Sequence, residues 1–192
     1  MEPDQGFAVC PSCGRRDDTA SLQPLFVVTG ASGSGKTTLF GPLARLLARR
    51  CLVFDVDWLI DASSTLSGAA TVADIPWDGF AQAWLAVSHG PAQSGLPTVL
   101  LGTLTPGGLD ENVGRKWVGP IHGLLLDCPD EIRRQRIEAR PSWRLRDVTE
   151  QIRWAAWLRE NIAEQIDTSR CSPEEAVRAI ADWVEGLLRN EA

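Results

Sequence analysis

Lysine is almost missing from this chain. Lys36 and Lys116 are the two lysines among 192 residues, and every other cationic side chain is an arginine. Acidic residues outnumber basic ones 25 to 19, a formal net charge of −6, which disfavours a broad nucleic-acid-binding surface. Nowhere does the chain approach the ~20 consecutive apolar residues of a membrane-spanning helix. Its first residues, Met1-Glu2-Pro3-Asp4, lack the basic start and apolar core of a secretory signal. The expectation is a cytoplasmic protein with no membrane partner, acting as a monomer or homodimer. The cysteines number five, and an odd count in a reducing compartment argues against a disulfide framework.

One of the two lysines falls inside Gly30-Ala31-Ser32-Gly33-Ser34-Gly35-Lys36-Thr37, a complete G-x-x-x-x-G-K-[ST] phosphate-binding loop. Both flanks suit it. The apolar, β-branched run Leu25-Phe26-Val27-Val28-Thr29 precedes it, and a helix-compatible stretch from Thr37 to Arg50 follows. The glycines allow a tight turn that aims successive N–H groups at one point, and the helix start adds its positive dipole end. Gly30 to Thr38 are therefore candidate nucleotide-binding residues. Lys36 reaches toward the β- and γ-phosphates of ATP, and the Thr37 hydroxyl is placed to ligate Mg²⁺.

Strands and helices alternate from Leu25 onward. The pattern predicts strands at 25–29, 51–57, 97–103 and 123–127 and a short fifth around 166–168, with helices near 36–49, 77–89, 129–140 and 147–165. A last helix begins at the capping box Ser172-Pro173-Glu174-Glu175. Continuous apolar strands between helices indicate a parallel sheet covered on both faces. The first 24 residues form a polar leader, separate from a domain over 25–192. Within the leader, Cys10-Pro11-Ser12-Cys13-Gly14 has the spacing at which two thiolates converge on one metal. A closed site needs four ligands, and no second Cys-x-x-Cys exists. Cys10 and Cys13 are thus candidate zinc ligands, completed by pairing two chains, in a leader that is otherwise mobile or vestigial.

The second strand ends in Phe54-Asp55-Val56-Asp57-Trp58, and carboxyl ends of parallel strands face the ligand crevice. As alternate strand residues, Asp55 and Asp57 are expected on one face. Asp57 is the candidate base that orients or deprotonates an acceptor hydroxyl, and Asp55 a candidate partner of Mg²⁺ through water. The third strand ends in Gly102-Thr103-Leu104-Thr105 with no carboxylate, which disfavours motor ATPases.

This succession of strand, loop, helix and Asp-ended strand resembles the small P-loop kinases, among them adenylate, shikimate and gluconate kinases. Phe54-Asp55-Val56-Asp57-Trp58-Leu59-Ile60 is most similar to the segment of chloramphenicol phosphotransferase and polynucleotide kinase where an Asp activates the acceptor hydroxyl. The resemblance covers about residues 25–188. It implies a three-layer α/β/α sandwich, a five-stranded parallel sheet in the order 2-3-1-4-5, and a mobile lid carrying arginines for the transferring phosphate. Arg133, Arg134, Arg136, Arg140, Arg144 and Arg146 fall in the matching region. Arg136 and Arg140, four apart, share a helix face and Arg144 follows a Pro-containing turn, so these three are candidates for nucleotide and transition-state charge. Arg133 and Arg134 are expected on a solvated face. Ile166-Asp167-Thr168-Ser169-Arg170 matches the loop that wraps adenine in such kinases.

The acceptor should be set by 58–95 and 103–120. Trp58, Trp77, Phe80 and Trp84 are candidates for an aromatic floor under a ring; alternatively Trp77, Phe80 and Trp84, at i, i+3, i+7 spacing, are an ordinary buried helix face. Arg115 and Lys116 would bind an acceptor phosphate or stay exposed loop charges. The expected activity is transfer of the ATP γ-phosphoryl group to a small molecule, foremost a nucleoside or nucleotide. An antibiotic or metabolite O-phosphotransferase and a non-enzymatic ATP-binding module are the alternatives.

Overall fold

The computed structural model describes residues 2–4, 7–9, 14, 16–18, 22–60, 76–141 and 147–191. Three short strands lie in the leader: β1 (Glu2–Asp4), β2 (Phe7–Val9) and β3 (Arg16–Asp18) pair antiparallel in the order β1-β2-β3. The leader therefore carries a small sheet of its own, where the sequence suggested either a metal knuckle or no structure. Cys10 and Cys13, in the β2–β3 connection, lie outside the described residues. Among the described residues no group of three or more His, Cys, Asp or Glu side chains is placed to hold a metal ion.

The main sheet is fully parallel and ordered β5-β6-β4-β7-β8. Its strands are β4 (Leu25–Thr29), β5 (Leu52–Asp55), β6 (Thr98–Gly102), β7 (Ile121–Asp127) and β8 (Gln165–Asp167). Counted from β4, this is the expected order 2-3-1-4-5. Side chains of β4 alternate between two cores, as the period of two in a strand requires. Phe26 and Val28 join Leu39, Leu43 and Leu47 and, from the C-terminal helix, Ile180 and Val184. Leu25 and Val27 face the other way, with Phe80, Trp84, Leu85 and Leu109. Helices α1 (Lys36–Leu46) and α6 (Pro173–Glu191) cover the first face, and α2 (Trp77–Gln93) and α3 (Pro106–Asp110) the second. The result is the three-layer sandwich.

Two further helices, α4 (Asp130–Glu138) and α5 (Val148–Asn161), flank the segment expected to be the lid. Ala155, Leu158 and Ile162 pack against Leu125 of β7 and Ala31 of the glycine-rich loop, so α5 lies directly on that loop. The capping box forms as predicted: Ser172 Oγ accepts from Glu175 N at 3.2 Å, and the Glu175 carboxylate accepts from Ser172 N at 2.7 Å. Among the described residues no helix is long and apolar enough to cross a membrane.

Candidate active site

The loop Gly30–Thr37 joins β4 to α1 at the carboxyl edge of the sheet. Gly33 (φ 87°) and Gly35 (φ 96°) take left-handed conformations that disfavour a side chain. Gly35 also stands at the N-cap of α1 without a side-chain hydrogen bond, leaving the first-turn amides to an outside acceptor. Gly30 is packed too tightly for a Cβ, which would meet Leu126 O at 2.4 Å. Lys36 folds back over this turn. Its Nζ donates to the carbonyl oxygens of Gly30 and Ala31 (3.1 Å) and lies 3.3 Å from Ser34 Oγ. Burial lowers the Lys36 pKa to about 8, against the nearby charge of Asp57, which raises it. Arg133 and Arg140 lower it further and Asp55 raises it, so these groups share one electrostatic neighbourhood.

Asp55 and Asp57 do not sit on a common strand face. β5 stops at Asp55, and Val56–Leu59 is a turn of 3₁₀ helix. The cause is local: Asp55 Oδ1 accepts from Asp57 N at 3.0 Å, a side-chain cap that competes with strand continuation. Asp57 is thereby carried on the first turn, exposed and near Lys36, with Asp55 as the group that builds the turn. Trp58, 58% exposed, follows it and meets the edges of Phe40 and Phe54 at centroid distances of 5.3 and 6.2 Å. Phe80 and Trp84 belong to the core instead, while Trp77 is partly exposed at the start of α2. Arg115 is occupied by Asp110 and by the carbonyls of Val118 and Gly119, which leaves Lys116 as the exposed cation there.

A cleft of about 390 Å³ opens at the loop. Gly33, Gly35, Thr38, Arg136 and Arg140 line it together with Thr168 and Ser172 from the segment after β8. Arg136 fixes that wall: Nη1 donates to Gly33 O (3.0 Å) and Thr168 Oγ1 (3.0 Å), and Nη2 to Thr168 O (3.1 Å). Arg140 lines the cleft and lies close enough to Lys36 to depress its pKa. Arg144 lies outside the described residues.

Arg133 overturns its expected place on a solvated face. It is fully buried beneath the loop, donating to Ser32 O at 2.8 Å and pairing with Asp127, whereas its neighbour Arg134 is exposed. Asp127 also accepts from Arg159 Nε at 2.6 Å, and Arg159 reaches Asp130 at 2.6 Å. Those two carboxylates raise the Arg159 pKa above its ordinary value. Gln151 of α5 was equally invisible as a site residue; its Oε1 accepts from Ser32 N at 2.8 Å. The signal for both was helical spacing. Arg133 precedes buried Ile137 by one turn, and Gln151 precedes buried Ala155.

The residues present fit a magnesium-bound nucleoside triphosphate. The loop offers glycine-only geometry, an uncapped helix start and a lysine turned over it. The hydroxyls of Thr29, the last residue of β4, and of Thr103, the residue after β6, are buried without a hydrogen-bond partner, so polar capacity is left at the carboxyl ends of these paired strands.

No protein-family model and no curated protein sequence matches this chain. Solved structures do. A sugar kinase from Janibacter is 21% identical over 85% of this chain and 95% of its own, with a TM-score of 0.60. The tunicamycin resistance protein of Deinococcus radiodurans is 17% identical over 84% and 95%, with a TM-score of 0.64. A gluconokinase from Sinorhizobium meliloti is 19% identical over 89% and 99%, with a TM-score of 0.56. The chain has the fold of the P-loop small-molecule kinases.

Proposed function

We propose that this protein is an ATP-dependent O-phosphotransferase that moves the γ-phosphoryl group to a hydroxyl of a small molecule. The observation that carries this is the placement of Asp57, exposed on its capped turn within electrostatic reach of Lys36, together with the arginine-lined cleft at the loop. A donor in the cleft would point its terminal phosphate toward Asp57. There the carboxylate accepts the hydroxyl proton and aligns the oxygen for in-line attack. The loop amides and Lys36 hold the phosphates, while Arg136 and Arg140 stand over the cleft as fixed positive charge. Arg144, from the arginine-rich segment, is proposed as a further member of this set. When bound, Mg²⁺ neutralises charge on the β- and γ-oxygens; Thr37, with Asp55 through water, would hold it.

Trp58 presents an exposed aromatic face next to Asp57, which suits an acceptor with an apolar or ring surface. Of the two cations expected to meet an acceptor phosphate, Arg115 is already committed to Asp110 and two carbonyls and Lys116 is exposed, so the proposed acceptor is a hydroxylated metabolite, nucleoside or antibiotic. Other sugar and metabolite kinases of this fold support the same chemistry, and one matching structure is a tunicamycin resistance protein. An ATP-consumption screen over nucleosides, nucleotides, sugars and hydroxylated antibiotics tests the reading. Turnover with a hydroxyl acceptor is expected. Turnover confined to nucleoside monophosphates would refute the acceptor class, and ATP binding with no turnover on any compound would favour a non-enzymatic module.

A further inference from the structure

One residue of the loop, Ser32, is held through both of its backbone groups, and so in the two peptides that flank it, by the helices α4 and α5. Arg133 of α4 donates to the Ser32 carbonyl at 2.8 Å, and Gln151 of α5 accepts from the Ser32 N–H at 2.8 Å. Neither grip is loose. Arg133 is fully buried and anchored by Asp127, and α5 is pressed onto the loop through Ala155 and Leu158 against Ala31. The position of Ser32 along the phosphate cradle is also marked. Lys36, whose ammonium serves the β- and γ-phosphates in loops of this type, rests on Gly30 O and Ala31 O. The first half of the loop is therefore its terminal-phosphate end, and the helix start at Gly35–Lys36 its inner end.

Resting on the ATP-binding reading above, we propose that Gln151 is a positioning residue for the terminal phosphoryl group. It acts through the Ser32 N–H, fixing the γ-end of the loop to α5. Arg133 of α4 holds the next peptide, through the Ser32 carbonyl. Loop geometry at the terminal phosphate and the placement of α4 and α5 are thus one mechanical unit. A diphosphate, which ends short of Ser32, does not engage it.

The test compares binding of Mg²⁺-ADP and of a Mg²⁺-bound, non-hydrolysable imido analogue of ATP to the full chain and to Gln151→Leu. Leucine keeps the bulk and helix propensity of the site but removes the acceptor. The variant should bind ADP within about twofold of the unaltered protein and the ATP analogue about five- to tenfold more weakly, the scale of one mispositioned charge-assisted hydrogen bond. Unchanged ADP affinity also serves as the folding control. Trp154, stacked on Trp157 one turn along the same helix (centroids 4.9 Å apart), gives a second readout. Its emission should distinguish analogue from ADP in the unaltered protein and lose that distinction in Gln151→Leu. Equal weakening for both nucleotides would reduce Gln151 to a packing role and overturn the proposal, as would unchanged or tighter analogue binding. If the unaltered protein binds neither nucleotide, the phosphate-loop reading itself fails and the proposal with it.

Discussion

Replacing Arg133 by methionine should destabilise the protein by about 2–4 kcal/mol. The guanidinium is wholly buried and makes three contacts: Ser32 O at 2.8 Å, the Asp127 carboxylate, and Cys128 O at 3.3 Å. Breaking a buried ion pair by removing one partner costs about 3–5 kcal/mol when the other is left alone. Asp127 is not left alone, because Arg159 still donates to it, so the Asp127 part of that cost is reduced. The Ser32 carbonyl loses its charged donor, adding about 1–3 kcal/mol, and methionine refills most of the volume. Urea unfolding followed by tryptophan fluorescence measures the sum. The companion Arg134→Met, one position along on an exposed face, should stay within about 0.5 kcal/mol. A loss below about 1 kcal/mol for Arg133→Met, or equal losses for both variants, would refute the buried-anchor reasoning.

Three other outcomes follow from the same geometry. Lys36 has a pKa of about 8 without nucleotide, and bound phosphate must raise it, so ATP binding takes up a proton above pH 8. ATP affinity measured by calorimetry should accordingly fall as pH rises past 8, by up to about tenfold per unit; a flat profile from pH 7.5 to 9.5 would contradict this. Ser172→Ala removes the hydroxyl that accepts from Glu175 N and should cost about 1 kcal/mol in urea unfolding, with nothing lost if the cap is idle. Trp58→Ala should raise the acceptor KM severalfold while leaving the ATP KM unchanged, and the reverse pattern would move Trp58 to the donor side.

The phosphate-loop motif and the succession of strands and helices were legible because their determinants are local, whereas the sheet order came from the resemblance to the small P-loop kinases. A glycine-rich octad between an apolar strand and a helix, and alternating apolar runs, carry their own signal. Asp57 was singled out by its place at a strand end, but the strand was drawn one residue early and two residues past its end. Asp55 offers its carboxylate to Asp57 N, and a single side-chain cap decides between strand and 3₁₀ turn. Arg133 was misplaced because a charged residue sends no apolar signal even where it belongs to the inner face of a helix. Its partners, Ser32 and Asp127, are 101 and 6 residues away, and the first of these is set by tertiary packing alone. Gln151 meets Ser32 across 119 residues of sequence for the same reason. Arg115 was ambiguous until Asp110, five residues earlier, was brought back to it at 2.5 Å.

The central claim is that Asp57 serves the acceptor while Lys36 and its loop serve the donor. The most direct measurement pairs ATP affinity with phosphoryl transfer for Asp57→Asn, using whichever acceptor the screen returns. Asparagine preserves shape and removes the base. ATP affinity should stay within about threefold of the unaltered protein, and transfer at saturating ATP and acceptor should fall by about a hundredfold or more. Transfer within a few fold of the unaltered protein would contradict the assignment, as would loss of ATP binding in step with loss of transfer.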